Sequence, residues 1–240
     1  MTPGTRSAAH FWTGPRRTLV EDLLRIRLPR GSVVVEVVDD GRSRLRGIDG
    51  AYRWVTAGTG AGQPTGQSPG ARGPGPPGRP PSVRAEALHL PLADRSVDGV
   101  ILLDLLARLD DDRSALAEAA RALRPGGAVV ITVPVLPWLW GPHDEEAGHR
   151  RRYRTAELVA TLDELGLFVD MVRRYQFLLS PLFVASRLAA RRAPGLVTLE
   201  HRPPAWIARG LEAVNRVEVA LARRVPRPWG TSVVVLARRP

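Results

Sequence analysis

Apolar residues recur along this chain in two patterns, one typical of amphipathic helices and one typical of buried strands. Helical spacing, with apolar residues three and four positions apart, predicts helices over residues 10–28, 111–123, 155–166, 178–191 and 204–224. Aliphatic runs and shorter apolar segments predict strands over residues 32–38, 52–56, 99–104, 128–133, 168–172 and 232–237. Because strands and helices alternate, we predict an α/β fold with a doubly wound, mostly parallel sheet.

Capping residues set several of these boundaries. Asp111 or Asp112 can cap the helix that begins there, and Thr155 and Gly166 suit the two ends of the helix over 155–166. The segment 125–127, Pro-Gly-Gly, is expected to end the preceding helix, so that the next strand starts at Ala128.

Glycine and proline dominate residues 58–82, which predicts a flexible surface loop. Within it, Gly58-Thr59-Gly60-Ala61-Gly62 has the spacing of a phosphate-binding turn. That motif needs a helix directly behind it, and Pro64 with the glycines that follow argues against one. A loop is therefore the favoured interpretation.

Composition limits the classes of function. The 240 residues suit one domain, 1–240. The absence of cysteine excludes disulfides and thiolate chemistry, and no signal peptide or membrane span is recognisable, so a cytoplasmic location is expected. All 35 basic residues are arginine, against 24 acids, and the net charge of +11 favours anionic partners. The lack of lysine also indicates biased codon usage, and no nucleic-acid-binding module is present, so no nucleic acid is expected.

A family resemblance rests on the order of motifs in the second half. Glu86 is followed by Asp94 and Asp98, then by Asp104 at the end of a strand, and then by Leu-Arg-Pro-Gly-Gly over 123–127. This order resembles a class I S-adenosylmethionine-dependent methyltransferase of the methyltransferase type 11-like group. The resemblance implies a Rossmann-like methyltransferase fold with helical C-terminal additions, and S-adenosylmethionine as the cofactor.

The same resemblance implies cofactor contacts at the carboxyl ends of the strands. Glu86 matches the acid that accepts a hydrogen bond from the adenine amino group, and Ala87 and Asp104 lie beside it in the family's pattern. Glu36 matches the acid that begins the first motif, and Gly41 is the glycine that remains after it.

The first motif otherwise departs from the family. Val37, Val38, Asp39 and Asp40 stand where glycines allow close approach of the cofactor, and no acid follows near Gly58 for the ribose hydroxyls. Weakened cofactor binding is therefore predicted. Diverged or frame-shifted sequence over residues 37–82 is a separate hypothesis, which reading the gene in its other frames would test.

Residues 143–153 resemble an acceptor-side segment found in a subgroup of these methyltransferases. The resemblance implies acceptor contacts by His143, Arg152 and Tyr153. Asp144 and His149 suit a general base pair, in which the carboxylate orients the imidazole. A surface loop whose charges pair with one another is the alternative, and a metal site is disfavoured because the spacing matches no known motif.

These observations predict a methyltransferase that acts on a hydroxyl or amine of a small or lipid- or glycan-linked acceptor. The alternative is a catalytically inactive scaffold or binding protein that keeps the fold. Arginines 150, 151, 152 and 154 can bind an acceptor phosphate or form a solvated surface. Residues 175–226 are expected to form a helical lid or a segment that lies on an anionic membrane surface.

Overall fold

The fold was analysed in a computed structural model that describes residues 13–39, 45, 52–58, 82–192, 205–222 and 229–240. Within these ranges the strands are β1 Val33–Val38, β2 Arg53–Gly58, β3 Ser82–Arg84, β4 Val97–Leu103, β5 Leu123–Pro134, β6 Phe168–Tyr175 and β7 Ser232–Arg238. The helices are α1 Thr13–Arg27, α2 Asp112–Ala122, α3 Pro142–Glu146, α4 Thr155–Glu164, α5 Ser180–Arg192 and α6 Ala205–Ala222.

The seven strands form one sheet in the order β3-β2-β1-β4-β5-β7-β6. The first five are parallel, and β7 is antiparallel to both β5 and β6. β1 lies between β2 and β4, so that Glu36 is paired with Thr56 on one side and with Ile101 on the other. The predicted α/β class with a mostly parallel sheet is confirmed.

Both faces of the sheet are covered, which explains the β-branched composition of β1. Val35 and Val37 belong to a core on one face that includes residues of α2 and α4. Val34 belongs to a second core on the other face, which includes residues of α1. A parallel strand that is buried on both sides needs apolar residues at successive positions rather than at alternate ones.

Several predicted boundaries shift in the structure. β5 begins at Leu123 rather than at Ala128, because the Pro-Gly-Gly segment keeps pairing with the C-terminal end of the chain, where Gly126 N–H donates to the Arg239 carbonyl over 2.8 Å. β6 continues to Tyr175 because β7 pairs with it along that whole length. Of the two predicted caps of α2, the structure uses Asp111, whose carboxylate accepts a hydrogen bond from the Ser114 N–H at 2.9 Å.

The C-terminal helices α5 and α6 pack against each other through Leu179, Phe183 and Leu211. The Glu218 carboxylate on α6 accepts hydrogen bonds from the backbone N–H groups of Phe177 and Leu178, at 2.8 and 3.0 Å, just before α5 begins. No helix in the described part of the chain has the length and hydropathy needed to cross a bilayer. The predicted loop over residues 58–82, with its glycine turn, lies outside the described residues apart from Gly58 and Ser82.

Candidate active site

The candidate site lies at the edge of the sheet where the parallel strands β1, β4 and β5 end. Asp39 follows β1, Asp104 follows β4, and the segment that carries Asp144 and His149 follows β5. Because parallel strands share their direction, their carboxyl ends form one rim, and ligands of open α/β sheets bind there. We call this edge the C-terminal rim.

Asp104 is held in an uncommon backbone conformation at this rim. Its φ is 50°, and its N–H group donates to the Thr132 side-chain oxygen at 3.1 Å. The Thr132 hydroxyl donates in turn to Asp104 Oδ1 at 3.0 Å. Non-glycine residues at positive φ are uncommon and often lie at functional sites. Here the strained position is kept by hydrogen bonds from the neighbouring strand.

A 3₁₀ turn over Leu106–Arg108 joins the end of β4 to the loop that follows α3. The Arg150 N–H donates to the Ala107 carbonyl at 2.6 Å. His149, the residue before Arg150, is thereby brought to the part of the rim that Arg108 occupies. The guanidinium of Arg108 forms an ion pair with the Asp39 carboxylate, and both side chains are about a quarter exposed, at 27% and 29%.

Asp144 is the centre of a buried polar network. Its side chain is fully buried, and its Oδ2 accepts from the Gly141 N–H at 3.1 Å. Its Oδ1 lies 3.0 Å from His149 Nδ1 and 2.9 Å from Arg152 Nε. Arg187 of α5 donates from Nη1 to Oδ2 at 2.7 Å. A carboxylate that accepts this many hydrogen bonds is satisfied even without water.

Electrostatics keep this carboxylate ionised. Burial alone would raise the pKa of Asp144, but the hydrogen bonds from His149 and Arg152 and the charges of Arg152 and Arg187 outweigh it. The pKa of Asp144 is therefore held well below its ordinary value. An anion of this kind can bind two guanidinium groups and still orient a histidine.

The orientation of His149 follows from its partner. An ionised carboxylate only accepts hydrogen bonds, so the proton of the neutral imidazole lies on Nδ1 and the lone pair on Nε2. The side chain is 11% exposed, which leaves it an opening toward solvent. The arrangement can therefore act as a general base with its orienting carboxylate.

Two predicted acceptor contacts have internal partners instead. Arg152 is buried and divides its donors between Asp144 and the Val135 carbonyl, the latter at 2.9 Å. The Tyr153 hydroxyl is hydrogen-bonded to the Asp112 carboxylate at the start of α2. Burial first, and then this bond, raise the pKa of Tyr153 well above its ordinary value. In this structure both side chains fix the acceptor-side segment in place, and their contact with an acceptor stays a prediction.

The arginines around this segment are also paired. Arg150 is 3.2 Å from Asp110, Arg151 is 3.1 Å from Asp112, and Arg154 is 3.8 Å from Glu157. These pairs favour the interpretation of a solvated surface over a dedicated phosphate site. His143 lies half-buried in the short helix α3, which the sequence pattern did not predict.

The predicted cofactor residues differ in position and exposure. Glu36 is fully buried inside β1. Glu86 is exposed in a turn after β3, where the His89 N–H donates to its carbonyl at 3.0 Å, and Ala87 is half-buried beside it. Gly41 lies outside the described residues. Their contacts with a cofactor stay predictions.

Gly58 explains why no acid ends β2. A Cβ atom built at this position would lie 2.1 Å from the Val38 carbonyl oxygen, because β2 closes directly onto β1 there. No side chain fits, so the residue type is dictated by backbone packing. Ala57 is buried as well, and neither position can carry a carboxylate to the rim.

Sequence patterns missed two features of the site. Arg187 lies 43 residues from Asp144, in a helix whose sequence shows only apolar and basic residues without a recognisable motif. The Asp39–Arg108 pair joins residues 69 positions apart. Neither separation leaves a local signal. In the described part of the chain, no group of three or more His, Asp or Glu side chains converges as a metal site.

Comparison with known proteins gives a partial family match. Residues 30–131 match the family model described as a methyltransferase domain. The match covers less than half of the chain and, together with the fold, supports the predicted resemblance to class I methyltransferases.

The individual matches are partial or distant. The O-methyltransferase rstn1 of Aspergillus nomiae is 47% identical over 47 residues, which are 20% of this chain and 21% of that protein. The chain thus spans about a fifth of the length of such curated relatives. The [4+2]-cyclase SpnF has a TM-score of 0.55 at 19% identity, covering 92% of this chain and 80% of its own.

A third likeness includes a cofactor complex. Phosphoethanolamine N-methyltransferase 2 of Haemonchus contortus, in complex with S-adenosyl-L-methionine, has a TM-score of 0.56 at 13% identity, covering 97% of this chain and 56% of its own. At such identities the structural likenesses establish the fold alone. A fold shared by a cyclase and a methyltransferase leaves the reaction to be argued from the site.

Proposed function

We propose that this protein transfers a methyl group from S-adenosylmethionine to a hydroxyl or amine of a small acceptor. One observation carries the proposal: at the C-terminal rim, the fully buried carboxylate of Asp144 lies 3.0 Å from His149 Nδ1 and orients the imidazole, which suits Nε2 to act as the base. The family match and the relatives named as O-methyltransferases support the same activity.

The residues at the rim fit a polar, charged cofactor. Arg108 Nε is buried and has no hydrogen-bond partner within the described ranges, and the carboxylates of Asp39 and Asp104 lie on the same rim. A buried donor without a partner is costly, so a ligand acceptor would relieve it. We propose that Asp104, Glu86 and Ala87, together with Glu36 and Gly41, complete the cofactor site.

His149 takes a proton in the proposed mechanism. The acceptor hydroxyl or ammonium group donates its proton to Nε2 while Asp144 accepts from Nδ1–H and stabilises the imidazolium that forms. S-adenosylmethionine supplies the methyl group when bound. Asp144 keeps the ring fixed throughout, because Gly141, Arg152 and Arg187 hold the carboxylate from three other directions.

A hydroxyl acceptor agrees best with this dyad. A hydroxyl is a weak nucleophile until a base removes its proton, whereas an unprotonated amine needs no base. A lipid- or glycan-linked hydroxyl belongs to the same chemical class, and the exposed apolar face of α5 would suit an acceptor of that kind at a membrane surface. We also propose a cytoplasmic location.

A catalytically inactive scaffold is the second candidate function. The observation that favours it is Gly58, because neither Ala57 nor Gly58 at the described end of β2 can carry the acid that would bind the ribose. Loss of one charged hydrogen bond costs about 1.5–3 kcal/mol, which weakens binding by roughly 10- to 150-fold.

Titration with S-adenosylmethionine and S-adenosylhomocysteine separates the two functions. We expect saturable heat and a thermal shift, with Glu86→Ala weakening both ligands because it removes the proposed adenine contact. No heat and no thermal shift at millimolar ligand would overturn the methyltransferase proposal in favour of the scaffold.

Transfer itself is tested with radiolabelled methyl groups and a panel of small hydroxyl and amine acceptors. His149→Ala should lower the rate constant for any accepted substrate by about 10²–10⁴-fold, because it removes the general base. Arg113→Gln changes one surface arginine that pairs with Glu164 and should leave the rate unchanged. Equal rates in wild type and His149→Ala would refute the assignment of the base.

A further inference from the structure

The connection between β3 and β4 is irregular, and its second half is held by helix α2. Residues 85–96 form this connection, which contains a short turn over 86–89 and no helix or strand. Glu86 and Ala87, which are predicted to contact the cofactor, lie in that turn. An irregular segment keeps one conformation only when other groups satisfy its backbone, so the partners of this connection decide how firmly Glu86 is placed.

One guanidinium on α2 supplies most of these partners. Arg121 donates to the carbonyl oxygens of Leu90 and Leu92, from Nη2 at 3.1 Å and from Nη1 at 2.8 Å. Nη1 also donates to Asp94 Oδ1 at 2.6 Å. The remaining N–H groups bind Glu118, with Nε 2.8 Å from Oε1 and Nη2 2.9 Å from Oε2. A guanidinium has five N–H donors, and here all five are used.

Glu118 binds the same connection from its own side. Its Oε2 accepts from the Leu90 N–H at 3.0 Å, so that both the backbone donor and the backbone acceptor of Leu90 are bound by this pair. Leu90 is itself buried, and it directly follows the turn that carries Glu86. The hydrogen bond to Arg121 is the main reason why the pKa of Glu118 is lowered.

Helix α2 is a firm support for the Glu118–Arg121 pair. Its side chains Leu116 and Ala119 are buried in the core on one face of the sheet. At its C-terminal end, the carbonyls of Ala120 and Arg121 accept from Arg239 Nη1 at 2.7 and 3.1 Å. The Arg121 carbonyl also accepts from the Arg95 N–H at 3.0 Å, which fixes the end of the connection to the end of the helix.

We propose that Glu118 and Arg121 are positioning residues for the cofactor: by fixing Leu90, they hold the turn over 86–89 so that the Glu86 carboxylate meets the adenine amino group. This inference rests on the proposed function and deepens it. Neither side chain needs to touch the ligand, because each acts through the backbone of the connection. A segment that samples several positions lowers the apparent affinity by the fraction of time that it spends in the competent one.

S-adenosylhomocysteine carries the adenine and serves as the probe. Ligand-observed NMR titration measures its binding and detects millimolar affinities. For Arg121→Gln we expect the affinity to fall about 10-fold, because the turn is no longer held in its competent position. In the unliganded protein, amide hydrogen exchange at residues 86–92 should accelerate for the same reason. Unchanged affinity or unchanged exchange in Arg121→Gln would overturn the proposal.

A double variant shows whether the pair acts through Glu86. In a Glu86→Ala background, Arg121→Gln should lower the affinity by less than about twofold, since the contact that it positions is already absent. A merely structural role would lower the melting temperature and leave the affinity of the folded protein unchanged. An undiminished loss of affinity in the Glu86→Ala background would refute the positioning role.

Arg113→Gln on the same helix is the matched control. Arg113 is exposed and pairs with Glu164 on α4, so its replacement removes the same charge without touching the connection and should leave the affinity unchanged. Equal losses in Arg113→Gln and Arg121→Gln would overturn the proposal, because net charge would then explain both. If the wild type binds S-adenosylhomocysteine and Arg121→Gln binds it equally well, only this inference fails. If the wild type does not bind it at all, the proposed function fails as well.

Discussion

Asp144 shows how one residue can organise a site. Its carboxylate joins a histidine, two arginines and a backbone amide from three segments of the chain. Removing the charge of a buried ion pair is costly because the remaining partners stay buried without compensation. At the residue scale, stability and the proposed catalysis therefore depend on the same side chain.

Replacement of Asp144 tests this dependence. We expect Asp144→Asn to lower the free energy of unfolding by about 3–5 kcal/mol, since it leaves Arg152 and Arg187 without a counter-charge. Denaturant unfolding at neutral pH measures the loss. Asp94→Asn is the control: Asp94 is 74% exposed and pairs with Arg121 at the surface, so its loss should cost less than about 1 kcal/mol.

The pH dependence of this difference has a definite sign. The pKa of Asp144 is lowered in the folded protein, so its stabilising contribution is fully present above the unfolded value of about 3.9 and is lost as the pH falls below it. The gap in unfolding free energy between wild type and Asp144→Asn should therefore shrink as the pH falls below about 4. A gap independent of pH down to about 2 would contradict the lowered pKa.

At the scale of elements, the junction between β1 and β2 is set by backbone contact. We expect Gly58→Ala to destabilise the fold by about 1–3 kcal/mol or more, because the added Cβ would meet the Val38 carbonyl at 2.1 Å. Gly210→Ala in α6 is the matched control, as no atom lies within 4 Å of its Cβ position. At this position, alanine should raise the free energy of unfolding by at most about 1 kcal/mol, because of its higher helix propensity. Thermal unfolding compares the two, and equal melting temperatures would refute the close packing.

Helix α5 is joined to the acceptor-side segment by one buried arginine. Arg187, which is 3% exposed, donates to both Asp144 and the Leu139 carbonyl. Arg187→Leu should lower the free energy of unfolding by about 1.5–3 kcal/mol. It should also accelerate amide hydrogen exchange in α5 and in residues 141–149. Exchange in α4 should not change, because that helix packs on the sheet independently. Unchanged exchange in α5 would show that the helix is held by its packing on α6 alone.

At the scale of the whole molecule, the protein combines an excess of arginine with an exposed apolar face on helix α5. The net charge is +11, and Leu182 and Leu188 of α5 are 43% and 37% exposed. A basic protein with an apolar face can bind anionic bilayers peripherally. This contact is a proposal that the predicted membrane-surface segment motivates.

Cosedimentation with vesicles tests the contact. We expect retention on phosphatidylglycerol vesicles at low salt that declines as salt rises, since salt screens the attraction. The double variant Leu182→Ser and Leu188→Ser should reduce retention without altering charge. Absence of retention on anionic vesicles at low salt would contradict the membrane contact. It would favour the alternative prediction that α5 forms a lid over the acceptor-side segment.

The sequence by itself determined the fold class of this protein. Strand and helix periodicities are local, and the runs over 32–38 and 99–104 became β1 and β4 because only a strand buried on two faces needs such composition. The motif order from Glu86 to Gly127 carried the resemblance to methyltransferases, which the family match over residues 30–131 supports. The Asp144–His149 contact was also within reach, since five residues separate the pair in sequence and a short helix brings them together.

Only the tertiary structure decided what the charged residues do. The sequence predicts acceptor contacts for Arg152 and Tyr153, and only the fold shows that they bind Asp144 and Asp112. Asp39 is an isolated anion in the sequence, and only the fold shows that it pairs with Arg108. The physical reason is that a charge acquires its role from its surroundings: burial and neighbouring charges fix its energy, and both are supplied by residues tens of positions away in the chain.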